Sequence, residues 1–197
     1  MDEDTLTSFG AKVDVVDDAG MTPLHKAAGT LNKDIILLKC GADPNKCNNQ
    51  GLTPLQEACQ MGCSELVDLL LIYGGNINKV NKAGENSLFI FLNRGITLTN
   101  NKLLSKLFGL TSPLIFHNKS GQLPSSLSLP CSSKFKGPIL RLAQDPRSLK
   151  SICKAFIYLQ HVQNREEWRQ ILPTILYEFV FNKWDILDKI LLDRSGR

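Results

Sequence analysis

Two segments of the sequence are near copies of one another, and this internal repeat constrains the fold more than any other feature. Residues 18–28 (DAGMTPLHKAA) and 49–59 (NQGLTPLQEAC) share a glycine, a Thr-Pro-Leu triplet and two small residues at their ends. Gly20, Gly51 and Gly84 follow one another at intervals of 31 and 33 residues. Periods of this length are typical of solenoids, in which stacked helical units bury their apolar faces against their neighbours.

The repeated residues have physical roles that predict an all-α unit. The glycine permits the positive φ of a tight turn, which we call a finger. The Thr-Pro pair that follows supplies a capping hydroxyl and a proline at the first helical position. Ala27, Ala28 and Ala58 are small where neighbouring helices must approach closely, and Gly41 and Gly74 are placed to end the second helix of a unit.

This pattern resembles the ankyrin repeat, and the resemblance implies a solenoid of about three to four repeats. The third unit keeps its finger at residues 81–84 but lacks the Thr-Pro pair, and we predict its helices at residues 87–93 and 100–108. A fourth finger at residues 118–121 leads into a half repeat, so the array decays as a capping unit does. The first full repeat is shorter than the second, which predicts a rearrangement at residues 29–34.

Residues 1–14 carry only the end of a repeat, because Leu6–Asp14 aligns with Leu38–Asp43 and no first helix precedes it. A solenoid unit stacks on both neighbours, so a half repeat leaves one side of the first full repeat partly bare. We therefore expect the chain to be the C-terminal part of a longer array. The alternative is that residues 1–14 form an irregular cap.

A second feature lies near the C-terminal end, where Ser148 is a suitable N-cap for a helix. The helix sets five apolar or small residues on one face, at i, i+3, i+4, i+7 and i+8: Leu149, Ile152, Cys153, Phe156 and Ile157. So wide an apolar stripe must be covered, either by the preceding repeat or by another protein. A cysteine at the centre of the stripe favours the second alternative, since a core would gain more from leucine.

The spacing of Leu149, Cys153 and Ile157, with Leu172-Pro173 further on, resembles the SOCS box. The resemblance implies that the five-residue face binds elongin B/C, with the leucine entering a pocket of elongin C. It also implies that Leu172 and Pro173 help to select the cullin, which would be cullin-5 or alternatively cullin-2, together with its RING subunit. After Pro173 the chain departs from the family pattern, because Thr174 and Ile175 replace a hydrophobic residue and a proline.

These features divide the chain into segments. We predict a partial ankyrin repeat at residues 1–14, ankyrin repeats at 15–128, a linker with a docking helix at 129–144, a small three-helix SOCS-box-like domain at 145–181 and a helical tail at 182–197. The linker is rich in serine and contains a proline, and Pro138 is suited to open the docking helix.

Repeats followed by such a box imply an ankyrin-repeat and SOCS-box protein, which is the substrate-recognition adaptor of a cullin-RING ubiquitin ligase. The repeats would hold an unknown protein substrate through the fingers and the exposed side of the first helices. The candidate contacts are Asp17, Asp18, Lys26, Asn48, Gln50, Gln56 and Gln60. The alternative is a non-catalytic ankyrin scaffold whose C-terminal box is only a cap.

Other classes of function find little support in the sequence. The three histidines are dispersed and no catalytic or nucleotide-binding motif is present, so we expect no catalytic residue, cofactor or metal site. We expect His25, at the repeat turn, to hydrogen-bond a neighbouring loop. Basic residues are spread singly, which argues against nucleic acid, and no apolar run is long enough to span a membrane. Six cysteines without a CxxC pair, and an N-terminus unlike a signal peptide, predict reduced thiols in the cytoplasm or nucleus.

Overall fold

The computed structural model describes residues 12–30, 35–94, 101–128, 136–137, 139–141 and 148–183. Every regular element within these ranges is helical, which confirms the prediction of an all-α fold. The helices are α1 (Pro23–Gly29), α2 (Ile35–Lys39), α3 (Pro54–Met61), α4 (Ser64–Ile72), α5 (Ser87–Asn93), α6 (Asn101–Leu110), α7 (Ser125–Ser128), α8 (Leu149–His161), α9 (Arg165–Ile171) and α10 (Thr174–Tyr177). A 3-10 segment (Val162–Asn164) follows α8, and a π-helical turn (Glu178–Asn182) follows α10.

The first helix of each repeat packs against the first helix of the next. Helix α1 contacts α3, α3 contacts α5, and α5 contacts α7, so the half repeat extends the same stack. The leucines at equivalent positions, Leu24, Leu55 and Leu88, are all buried in one continuous core. The stack thus depends on apolar side chains that recur with the sequence period.

Each first helix begins with a side-chain cap. Thr22 and Thr53 accept a hydrogen bond from the backbone N–H three residues on, and both form capping boxes, as the Thr-Pro pairs predict. In the third repeat Asn86 takes this position, and its Oδ1 accepts from the backbone N–H of Phe89 at 2.9 Å. Asparagine is as good an N-cap as threonine, which explains why the third repeat keeps its first helix without Thr-Pro.

The predicted third repeat is confirmed with one adjustment. Helix α5 covers the predicted residues 87–93, whereas α6 continues to Leu110, beyond the predicted end at residue 108. Leu110 is buried, and Thr111 N–H still donates to the carbonyl of Leu107. The helix continues because the next proline in the sequence is Pro113.

The fingers at residues 17–20, 48–51, 81–84 and 118–121 form one row. A single backbone hydrogen bond joins each finger to the next at the same position: Asn49 N to Ala19 O (2.9 Å), Lys82 N to Gln50 O (3.1 Å) and Lys119 N to Ala83 O (2.8 Å). The glycine that closes each finger has a φ between 72° and 82°, as the repeat pattern predicts. Equivalent positions of adjacent fingers are therefore neighbours in space.

The C-terminal helices rest on the repeats. Helix α8 packs against α6, and the 3-10 segment packs against α4. Tyr158, Tyr177 and Phe181 form an aromatic cluster inside this unit, with centroids 5.9 Å and 5.0 Å from the Phe181 ring. Helices α8, α9 and α10 thus form one small helical unit that rests on the second helices of the second and third repeats.

Several predicted features lie outside the described residues. They are residues 1–11 of the predicted partial repeat, residues 31–34 of the predicted rearrangement, most of the linker, and the predicted tail beyond residue 183. Residues 139–141, within the docking helix that we predict from Pro138 onward, are helical, and so are residues 136–137 before it. None of the described helices combines the length and the apolarity needed to cross a bilayer.

Candidate functional site

Helix α8 has two apolar faces, and the structure buries the one that the sequence pattern does not emphasise. Ala155, Tyr158 and Val162 face the protein interior and are buried. On the other face the exposed fractions are 75% for Leu149, 50% for Ile152 and 64% for Phe156. Solvation of large apolar side chains on one helix face marks a surface that is suited to a partner.

The remaining residues of the predicted elongin-binding face divide between the two environments. Cys153 is exposed beside Ile152 and Phe156. Ile157 is half-buried and packs against the protein's own core. The face is therefore open from Leu149 to Phe156 and closes at Ile157.

The start of α8 is fixed by a local cap. Ser148 Oγ accepts a hydrogen bond from the backbone N–H of Ser151 at 3.2 Å, as predicted for the N-cap. The ammonium groups of Lys150 and Lys154 lie 4.5 Å and 4.7 Å from the centroid of the Phe179 ring. These cation–π contacts hold α8 against the π-helical turn.

Lys106 links the repeats to α8. Its ammonium group forms an ion pair with Asp68 on α4 and lies 5.1 Å from the centre of the Tyr158 ring on α8. Burial lowers the pKa of Lys106, but Tyr158 and Asp68 outweigh this effect and hold the pKa above its ordinary value. A cation that remains charged is thus enclosed between two repeat helices and the C-terminal unit.

A second exposed apolar group lies at the junction of α9 and α10. Ile171, Ile175 and Leu176 have exposed fractions of 71%, 81% and 50%. Leu172, one of the two predicted cullin-selecting residues, is half-buried against the core, while Pro173 is exposed just before α10. Sequence reasoning did not select the three exposed side chains, although apolar residues beside a helix-opening proline were a signal that could have found them.

The structure places five of the predicted substrate contacts at the surface. They are Asp17, Asp18, Lys26, Gln50 and Gln60. Asp17 and Lys26 form an ion pair of 2.9 Å. The hydrogen bond from Lys26, helped by the backbone N–H groups of Met21 and Ala19, lowers the pKa of the Asp17 carboxyl.

The expectation that Asn48 and Gln56 lie on the exposed side is corrected by the structure. Gln56 is fully buried, and its Nε2 donates to the carbonyl of Lys79 at 2.8 Å. Asn48 is 9% exposed, and its Oδ1 accepts from the backbone N–H groups of Gln50 and Leu52. Both side chains hold turns of the repeat together because buried amides need partners, so neither is free to contact a substrate.

His25 has the structural role that its position predicts. Its Nδ1 accepts from the backbone N–H of Thr22 at 3.2 Å, so the ring proton belongs on Nε2, which donates to the carbonyl of Leu52 at 2.9 Å. Burial lowers the pKa of His25 more than the bond to Leu52 and the charge of Asp17 raise it. The neutral imidazole is therefore part of the repeat scaffold.

The fold and its exposed surfaces define a repeat protein built for binding. A family model described as ankyrin repeats, in three copies, matches residues 4–107. The chain belongs to the ankyrin-repeat family, and such repeats mediate protein–protein interaction. The match ends before α8, so it does not extend to the C-terminal unit.

Individual relatives match only part of the chain, over 64 to 96 residues. The chain is 39% identical over 64 residues to human (Homo sapiens) BCL-6 corepressor-like protein 1, which covers 31% of this chain and 4% of that protein. It is 31% identical over 96 residues to the B-cell lymphoma 3 protein homolog of Mus musculus, covering 47% of this chain and 21% of that protein. It is 35% identical over 78 residues to ankyrin repeat and SOCS box protein 16 of Mus musculus, covering 40% and 16%. The chain thus spans only 4–21% of the length of these relatives.

Proposed function

We propose that this protein is the substrate-recognition adaptor of an elongin-containing cullin-RING ubiquitin ligase. The repeats hold a protein substrate, and the C-terminal unit binds elongin B/C and, through it, a cullin with its RING subunit. An adaptor of this kind makes and breaks no bond itself. It raises the effective concentration of ubiquitin-conjugating machinery near its substrate.

The observation that carries the proposal is the solvated face of α8. Leu149, Ile152 and Phe156 are each at least half exposed, although Leu and Phe side chains gain about 1.5–3 kcal/mol each from full burial. The opposite face already anchors the helix to the repeats, so the exposed face is available without any rearrangement. Cys153, small and central on that face, would allow a partner helix or loop to approach closely.

The proposed cullin contact is the junction of α9 and α10. Leu172 and Pro173, which the SOCS-box resemblance assigns to cullin selection, lie beside the exposed Ile171, Ile175 and Leu176. We include these three side chains in the proposed contact. We propose cullin-5 as the partner, with cullin-2 as the alternative. Identifying which cullin co-elutes with the assembled ligase distinguishes the two.

The relatives give this proposal partial support. One of them is named as an ankyrin repeat and SOCS box protein, whereas two others carry names that refer to BCL-6 corepression and B-cell lymphoma. Likeness over the repeats alone therefore does not choose between an adaptor and an ankyrin scaffold without ligase recruitment. The choice depends on whether α8 binds a partner.

The test is to compare how much elongin B and C co-purifies with the wild-type chain and with the Leu149→Asp variant. Placing an unpaired carboxylate in an apolar contact costs several kcal/mol, so we expect the association to fall by about a hundredfold or more. The Val80→Asp variant is the matched control, because Val80 is also exposed but belongs to the repeats, just before the third finger. Wild-type and Val80→Asp proteins should both retain elongin B/C.

If the wild-type chain fails to bind elongin B/C, the adaptor function is wrong and the scaffold remains. If Leu149→Asp binds as tightly as Val80→Asp, the exposed face of α8 is not the contact. Urea unfolding of both variants checks that neither result reflects loss of the fold, since substitutions at exposed positions change stability by only about 0.5 kcal/mol.

A further inference from the structure

The charge of the finger row changes along the array. The second residue of the four fingers is Asp18, Asn49, Lys82 and Lys119 in order, and all of these side chains are exposed. Asp17 and Asp14 add to the acidic end. Because backbone hydrogen bonds stack the fingers in register, the row is acidic at the first finger and basic at the third and fourth.

The two lysines at the basic end differ from the other lysines near the row in having no acceptor for their ammonium groups among the described residues. Lys46 donates to the carbonyl of Asp14 at 2.7 Å, and Lys79 donates to the carbonyl of Asn45 at 2.6 Å. Lys26 is paired with Asp17. Lys82 and Lys119, in contrast, contact no acceptor within the part of the chain that the structure describes. Their ammonium groups are available to a ligand.

Both lysine side chains pass close to a glycine of the preceding finger. The aliphatic part of Lys82 lies over Gly51, and that of Lys119 lies over Gly84; a Cβ atom on these glycines would be 3.2 Å and 2.8 Å from the respective Cγ atoms. Because glycine has no side chain, each finger glycine leaves space for the lysine of the next finger.

An exposed apolar side chain comes just before Lys82 in the sequence. Val80 precedes the third finger and is 43% exposed. Two ammonium groups next to an apolar contact suit a polypeptide that carries carboxylates beside an apolar residue. Nucleic acid suits this surface less well, because a phosphate backbone that followed the row would meet Asp17 and Asp18 at its other end.

We propose that Lys82 and Lys119 recognise an acidic segment of the substrate, with Val80 contacting an apolar side chain of the same segment. This inference rests on the proposed function, because it names the chemistry of the substrate that the repeats would hold. It concerns the fingers alone and uses no residue of the C-terminal unit.

Selection of short random peptides displayed on phage against the full chain tests the inference. We expect the selected peptides to carry Asp or Glu beside an apolar residue, and their affinity to fall as salt is added. The Lys82→Glu/Lys119→Glu variant should weaken these peptides by about tenfold or more, because two attractions become repulsions. The Lys102→Glu/Lys183→Glu variant is the matched control, since it changes the net charge equally at two other exposed lysines.

Three results would overturn the inference: a selection without acidic peptides, acidic peptides that bind the Lys82→Glu/Lys119→Glu variant undiminished, or equal losses in both variants. Tighter binding of a single-stranded oligonucleotide than of the peptides, lost in the same variant, would assign the site to nucleic acid instead. Elongin B/C binding is measured on both variants and should be unchanged. If the peptide outcomes contradict the inference while elongin B/C binding is intact, this inference is rejected and the ligase proposal still stands.

Discussion

At the scale of single residues, one position shows how two different side chains satisfy the same geometry. His25 in the first repeat and Gln56 in the second both accept a hydrogen bond from the backbone N–H of their N-cap threonine. Both also donate through Nε2 to a carbonyl of the next repeat, Leu52 or Lys79. Histidine can serve here only while its Nδ1 is unprotonated, whereas glutamine has no such limit.

This difference predicts a pH dependence that belongs to His25. Burial lowers the pKa of His25 in the folded protein, so the unfolded chain binds the proton first as the pH falls. The stabilisation is complete above the ordinary histidine pKa of about 6.5 and is lost progressively below it. In the His25→Gln variant, which copies the second repeat, the free energy of unfolding should fall less steeply with acidification.

Urea unfolding of the wild-type and His25→Gln proteins at a series of pH values measures this effect. The neighbouring Asp17 carboxyl is present in both proteins and provides the shared background. Equal slopes for the two proteins below neutral pH would contradict the assignment of the neutral tautomer.

At the scale of elements, the two faces of α8 should contribute unequally to stability. Tyr158 is buried in the aromatic cluster, so Tyr158→Ala should lower the free energy of unfolding by about 3 kcal/mol. Phe156 is a similar aromatic side chain on the exposed face, and Phe156→Ala should change it by no more than about 0.5 kcal/mol. Denaturant unfolding of both variants gives the comparison, and a comparable loss in Phe156→Ala would mean that the face is covered.

Helix α8 was predictable from the sequence in its position but not in which face is buried. Apolar spacing and Ser148 predicted the helix, its start and its apolar face. The spacing could not decide which face is buried, because Ala155, Tyr158 and Val162 form a second stripe on the other side. That choice depends on contacts with α6 and on Lys106, which are distant in sequence and leave no local pattern.

The repeats were more predictable because their information is local and recurs. The spacing of Gly20, Gly51 and Gly84 placed the fingers, and the Thr-Pro pairs placed the caps. Polar residues were less predictable, since Gln56 has the composition of a surface residue and is used as an internal hydrogen-bond partner. Burial of such side chains is decided by the neighbouring repeat.

At the scale of the whole molecule, Lys106 joins the ankyrin repeats to the C-terminal unit. Its side chain is 14% exposed, and its partners Asp68 and Tyr158 belong to the two units that it connects. We expect Lys106→Met to lower the free energy of unfolding by about 1–3 kcal/mol, which is less than the roughly 3–5 kcal/mol for breaking a fully buried pair, because the Asp68 side chain is 43% exposed and can still be hydrated.

The variant should also uncouple the two units. In a Trp184→Phe background, Trp168 on α9 reports on the C-terminal unit, while circular dichroism reports mainly on the repeats. The two signals should change together in the wild-type protein and separate in Lys106→Met, with the fluorescence change at lower denaturant. Coincident transitions in both proteins would show that other contacts maintain the coupling.

The most direct test of the adaptor function is hydrogen exchange of the full chain with and without purified elongin B/C. If α8 is the elongin contact, we expect slower exchange in residues 149–157 of α8, where the exposed apolar face lies, and no change in the finger row at residues 17–20 and 48–51. Unchanged exchange throughout α8 at saturating elongin B/C, or slower exchange only in the repeats, would contradict it.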